Sequence, residues 1–209
     1  MHHKKYLLIF ISLILATTLT NSSNAQSWSM TTIINNNDTV ADEATVCTFD
    51  NAGNTYWASR YYVANTAKTG YWIWKVDKGG GTINAKKLIT LSSPAYTIQP
   101  IIDMEVISGS LYVLLDIKKA STPFDNDICV QKYDLNLSKK WESIYSVVNV
   151  NSSERGGMIS DGPSSGILVS LTSGNDARVL NYSKSNGQLL NSLLYNNGNG
   201  STETINKVL

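Results

Sequence analysis

Histidine is all but missing from this chain. Of its 209 residues only His2 and His3 carry an imidazole. Everything beyond them is therefore closed to Ser-His-Asp and Cys-His catalysis, to HExxH zinc sites and to histidine-based proton switching. A dominant charge is missing too, since 17 Lys and Arg stand against 16 Asp and Glu. Without a basic excess to neutralise phosphates, nucleic acid is not an expected partner. Charged residues make up 16% of the chain, below the roughly 25% usual in soluble domains. Uncharged Asn, Ser and Thr fill the deficit, as in many secreted proteins. What is present is 42% hydrophobic and 9% aromatic material, enough for one ordinary globular domain and too much for a disordered chain.

The first 25 residues, MHHKKYLLIFISLILATTLTNSSNA, read as a secretory signal peptide: basic at Lys4 and Lys5, apolar from Tyr6 to Ala16, and small and polar up to Ala25. The apolar run is 11 residues long, whereas crossing a bilayer takes about 20. No later stretch is apolar enough to span. The expectation is an exported chain of residues 26–209, secreted or periplasmic, with net charge −1 once the two lysines are removed. In an oxidising destination Cys47 and Cys129 allow one intramolecular disulfide. Both also sit in alternating apolar segments, where cysteine often serves as a small buried hydrophobe. Sequons begin at Asn37, Asn136, Asn151, Asn181 and Asn199, and they matter only in a eukaryotic secretory pathway.

Helical periodicity is nearly absent, while short apolar alternations bounded by Gly, Asn, Asp and Ser recur about every ten residues. The chain reads as all-β. Three stretches, starting at Trp28, Ile83 and Trp141, run through the same succession: an alternating strand, a polar connection, a second strand, a glycine turn and a third strand. Each is followed by a further strand ending at Asp77, Asp134 or Ser183. Tyr56 to Tyr112 is 56 residues, Asp77 to Asp134 is 57, and Tyr133 to Tyr182 is 49. Four strands at a period of about 50 residues is the pattern of propeller blades. Residues 101–106 and 166–171 are expected as inner strands. Trp57, Trp72, Trp74, Tyr112 and Tyr133 are expected as fillers between blades, or else as a stacking platform for sugars.

The turn Asp50-Asn51-Ala52-Gly53-Asn54-Thr55-Tyr56 resembles the Asp-x-x-Gly-Asn-x-Tyr turn of secreted, bacterial-type β-propeller repeats. The segment from Lys132 to Trp141 is similar to their hairpin between third and fourth strands, with Trp141 opening the outer strand. The resemblance spans residues 28–209, and its full turn signature occurs in the first unit alone. It implies a propeller-like fold of about three four-stranded blades plus flanking strands, the alternative being a two-sheet β-sandwich. A lone strand is expected near residues 28–35 and another near 204–209. A propeller closes with four to eight blades. The expectation is therefore a chain truncated relative to its relatives, or an open arc, or a ring completed by another copy. Quinone-dependent dehydrogenases share the propeller fold, but nothing here matches their Trp-rich repeat.

The turn has its own physical logic. Asp50 can accept backbone hydrogen bonds two residues on, and Gly53 can take positive φ. Asp125-Asn126-Asp127 and Asn175-Asp176 suggest similar turns, with a calcium site as the sharper alternative. Asp103 and Glu105, two apart on one strand, suggest a glycosidase-type carboxylate pair or a solvated edge. Asp42-Glu43 and Glu154-Arg155-Gly156-Gly157 read as exposed turn charges. Gly79-Gly80-Gly81 reads as a turn, since no GK[ST] or GxGxxG pattern surrounds it. The functional expectation is a secreted, non-enzymatic binding or scaffold module with no catalytic, cofactor or metal residues. Its partner would be a protein or glycan, met at residues 42–45, 93–99 and 152–157, and open blade edges invite self-association. A carbohydrate-binding or carboxylate-based glycan-cleaving propeller is one alternative, and a fragment without independent function is another.

Overall fold

The computed structural model describes residues 43–63, 68–79, 82–121, 125–147, 154–196 and 205. The leader, the strand expected near residues 28–35, most of that expected near 204–209, and Asn37, Asn151 and Asn199 lie outside them. Twelve strands follow one another, and none of the described residues is helical. They are β1 (Glu43–Phe49), β2 (Thr55–Val63), β3 (Lys68–Val76), β4 (Ile83–Leu88), β5 (Tyr96–Ile107), β6 (Ser110–Lys119), β7 (Asn126–Asp134), β8 (Lys139–Tyr145), β9 (Glu154–Asp161), β10 (Gly166–Ser173), β11 (Asp176–Ser183) and β12 (Leu189–Tyr195).

Each successive four strands form their own antiparallel sheet, in chain order: β1–β4, β5–β8 and β9–β12. No sheet closes on itself among the described residues. A sandwich would distribute the strands over two facing sheets. Here three blade-like sheets stack, with β1 against β5 and β5 against β9, so the fold is all-β and propeller-like. All described residues belong to one compact unit, Thr32–Leu209.

The middle sheet is covered on both faces, which explains why β6 reads almost continuously apolar, SLYVLLDIKK. Side chains alternate across a strand. Leu111, Val113, Leu115 and Ile117 pack toward the first sheet, against Tyr56, Ala58, Tyr71 and Ile73. Tyr112 and Leu114 pack toward the third, against Ile159, Ile167, Val169 and Leu171. Each fully buried Leu or Ile contributes about 1.5–3 kcal/mol. Residues 101–106 lie in β5, the first strand of its sheet, and 166–171 in β10, which is a second strand. The β5–β6 register shifts around Pro100, whose missing N–H is tolerated because β5 pairs on one side only.

Two cross-strand pairs fasten sheet to sheet. Tyr56 pairs with Lys75, whose ammonium lies 5.8 Å from the Tyr56 ring and donates to the Leu135 carbonyl in the β7–β8 turn at 2.9 Å. Tyr112 pairs with Lys132, 5.5 Å from its ring, which donates to the Lys184 carbonyl in the β11–β12 turn at 2.6 Å. The matching pair of the third sheet is Leu168 with Asn181, which supplies neither ring nor cation.

Candidate functional site

The Asp50 turn sets the geometry of a cleft where β1 meets β5. Asp50 is buried, and its Oδ1 accepts the amides of Ala52 at 3.0 Å and Asn54 at 2.9 Å. Its Oδ2 accepts Asn54 Nδ2 at 2.9 Å and the Tyr56 hydroxyl at 3.1 Å. Burial alone would raise the Asp50 carboxyl, but these donors outweigh it and hold it below its ordinary value. Gly53 closes the turn at φ +85°. Asp134 repeats the device, accepting the Asn136 and Ser138 amides at 3.0 and 2.9 Å, with Leu137 at φ +64°. Trp141 follows in β8, where the hairpin reading placed it.

Pinned by this turn, Phe49 ends β1 with 72% of its surface exposed. It lines a cleft of about 350 Å³ where β1 meets β5, with Cys47, Asn51, Thr55, Trp57 and Glu105. The Trp57 indole is held by a 2.9 Å hydrogen bond to Thr55 Oγ1. Burial and the neighbouring Asp103 charge raise the Glu105 carboxyl, while the Thr48 hydroxyl opposes them. The site is thus one exposed ring, one half-buried indole, amide and hydroxyl groups, and one carboxylate.

Asp103 does not face this cleft as half of a carboxylate pair. Its Oδ1 accepts the Met104 amide at 2.9 Å and its Oδ2 the Ile159 amide at 2.7 Å, which ties β5 to β9. Burial raises its carboxyl against the pull of those two amides. Asp116 does the same for the Gly156 amide, at 2.8 Å. Burial pushes Asp116 up to about 6, partly countered by that amide and by Arg155.

The expected aromatic fillers divide. Tyr112 and Tyr133 are fully buried between sheets, as are Tyr56 and Tyr182. Trp57 and Trp72 are half-buried on the face of the first sheet that turns away from the core. Trp74 shares that face, 6.1 Å from Trp72 between ring centroids, with its indole donating to Ser59 Oγ at 2.8 Å. The Lys86 ammonium sits 5.2 Å from the Trp72 ring.

Three charged segments read as turns lie partly or wholly in strands instead, with Asp42 outside the described residues and Asp125 just before β7. Glu43 opens β1, and Glu154 to Gly157 open β9 with Glu154 fully buried. Asn126 and Asp127 begin β7, and Asp125 and Asp127 are buried. Short polar runs look like turns when nothing in the chain reveals which neighbour will cover them. Oxygens of Asp125, Asp127 and Glu154 gather within 4.8 Å of one another, a convergence that spacing alone does not encode. Tyr96, in the stretch 93–99, and Glu154, in the stretch 152–157, both reach this end of the strands. Both cysteines are free thiols: Cys129 is buried between sheets and Cys47 is exposed. Asn136 lies exposed in its turn, whereas Asn181 is half-buried within β11. Among the described residues no helix is long and apolar enough to cross a membrane. Comparison with models of known protein families and with curated proteins found no match.

Proposed function

We propose that this protein is an exported, non-enzymatic binding module of the propeller-repeat type, engaging its partner at the cleft between β1 and β5. The observation that carries this reading is Phe49, which leaves 72% of a large apolar ring in solvent at the mouth of that cleft. A rigid Asx turn holds it there, so little ordering entropy is lost when a partner covers it. Exposed aromatic anchors with a polar surround are what binding patches use. Phe49→Ser leaves the core untouched and should abolish partner capture with circular dichroism unchanged. Capture retained by Phe49→Ser and by Trp57→Ala would refute the cleft as the contact. Export is tested by mass spectrometry of the secreted or periplasmic product, expected to begin at Gln26.

A carbohydrate ligand is the second reading, favoured by the company of Trp57, Asn51 and Glu105 in one cleft. Glycan cleavage by an Asp103–Glu105 pair has less support, because both Asp103 oxygens already receive backbone amides. A glycan array that responds to the native chain and not to Trp57→Ala would favour the sugar over a protein partner. The open outer strand β12, with Leu193 at 69% exposure and Tyr195 at 60%, supports a scaffold role through edge association, which the solution mass of the chain would test.

A further inference from the structure

We propose that Asp125, Asp127 and Glu154 form a binding site for one hard divalent cation of calcium's size, clamping the second sheet to the third. Asp125 and Asp127 sit where the chain enters β7, and Glu154 is the first residue of β9. Their carboxylate oxygens converge to within 4.8 Å of one another, and all three side chains are buried. Calcium–oxygen distances of about 2.3–2.6 Å place opposite ligands roughly 4.6–5.2 Å apart, whereas magnesium at about 2.0–2.1 Å requires a tighter cage.

Asp127 supplies the independent observation. It is fully buried, and neither of its oxygens accepts a hydrogen bond. The hydroxyls of Tyr96 and Ser146 and the Lys119 ammonium lie near enough to temper its charge, but none sits in hydrogen-bonding geometry. The other enclosed carboxylates described here differ. Asp50 takes four donors, Asp103 two amides and Asp116 one. Glu142 takes the Ser92 amide, Gln131 and Lys139. A buried carboxylate without donors is costly unless an ion compensates it. The donor set is oxygen throughout, with Ser173 Oγ donating to Glu154 Oε1 at 2.9 Å and so orienting it, which suits a hard cation rather than zinc or copper.

The test uses the full chain stripped with EDTA. Calcium at roughly 100 times its Kd should raise Tm by about 5–10 °C, and isothermal titration should show one site per chain. Asp127→Asn keeps the shape, removes the uncompensated charge, and should fold at least as well in EDTA while losing the calcium response. Terbium provides a readout that needs no variant, because Tyr96 and Tyr145 should sensitise its luminescence and calcium should quench it by displacement. Absence of any calcium heat or Tm shift, an equal shift with magnesium, or a calcium response that survives in Asp127→Asn would each overturn the proposal.

Discussion

Asp116→Asn should make this protein more stable at neutral pH, although it removes a charge that accepts a hydrogen bond. The Asp116 carboxyl is pushed up to about 6 from an ordinary 3.8, chiefly by burial and despite the Gly156 amide and Arg155. Between those two values the folded chain retains a proton that the unfolded chain has released, so stability falls as pH rises through this window. Below about pH 3.8 the carboxyl is neutral in both states and the penalty is absent. Above about pH 6 it is ionised in both, and the full penalty applies, at most about 3 kcal/mol at 1.36 kcal/mol for each tenfold change. Asparagine is neutral at every pH, and its carbonyl can still accept the Gly156 amide now held at 2.8 Å. Asp103, Glu105 and Asp127 are raised as well, so the difference between the two proteins isolates Asp116. Urea unfolding in EDTA at pH 4, 5, 6 and 7 should show near-equal stability at pH 4 and a gain of about 1–3 kcal/mol for the variant at pH 7. A gain that does not change with pH, or a loss at pH 7, would refute the argument that burial governs this carboxyl.

Asp50→Ala removes the acceptor for two amides, Asn54 Nδ2 and the Tyr56 hydroxyl, and should cost about 2–4 kcal/mol in urea unfolding. Gly187→Ala should be severely destabilising, because the residue sits at φ +73° and a Cβ would lie 2.6 Å from the Trp141 ring. Its expected signature is a lowered Tm together with altered Trp fluorescence. A thiol reagent should label one cysteine in the native chain, the exposed Cys47, and the second only on unfolding. Cys129 is buried between sheets and burial raises its thiol far above the ordinary value.

Much of the architecture was legible because strand periodicity is local. The alternation in GILVSLTS dictates that Ile167, Val169 and Leu171 share a face, and they do. Asp50 and Gly53 carried their turn chemistry openly, since an Asx turn is completed within five residues. Lys132 to Trp141 likewise reads as a hairpin from its own composition. Of the candidate cation site only the Asp125-Asn126-Asp127 part was legible, as a calcium alternative to a turn, and Glu154 was not legible as its partner. Asp125 and Asp127 stand 27 residues or more from Glu154, and only the stacking of two sheets brings their oxygens together. Asp103 and Glu105 misled in the opposite direction. Their spacing puts them on one side of β5, but neighbouring strands draw one to the Ile159 amide and the other toward Thr48.

The amino-acid sequence by itself determined the elements among the described residues: short strands, their turns, and the grouping by fours that period and polarity prescribe. It also determined which chemistries are closed, because no fold can supply an imidazole that the chain beyond residue 3 lacks. Tertiary structure alone decided which polar residues were covered, and hence which carboxylates became staples, which gathered, and which cysteine stayed in solvent. The reason is the range of the forces involved. Backbone conformation and side-chain alternation are settled by near neighbours in the chain, whereas desolvation and charge depend on residues brought close from far along it.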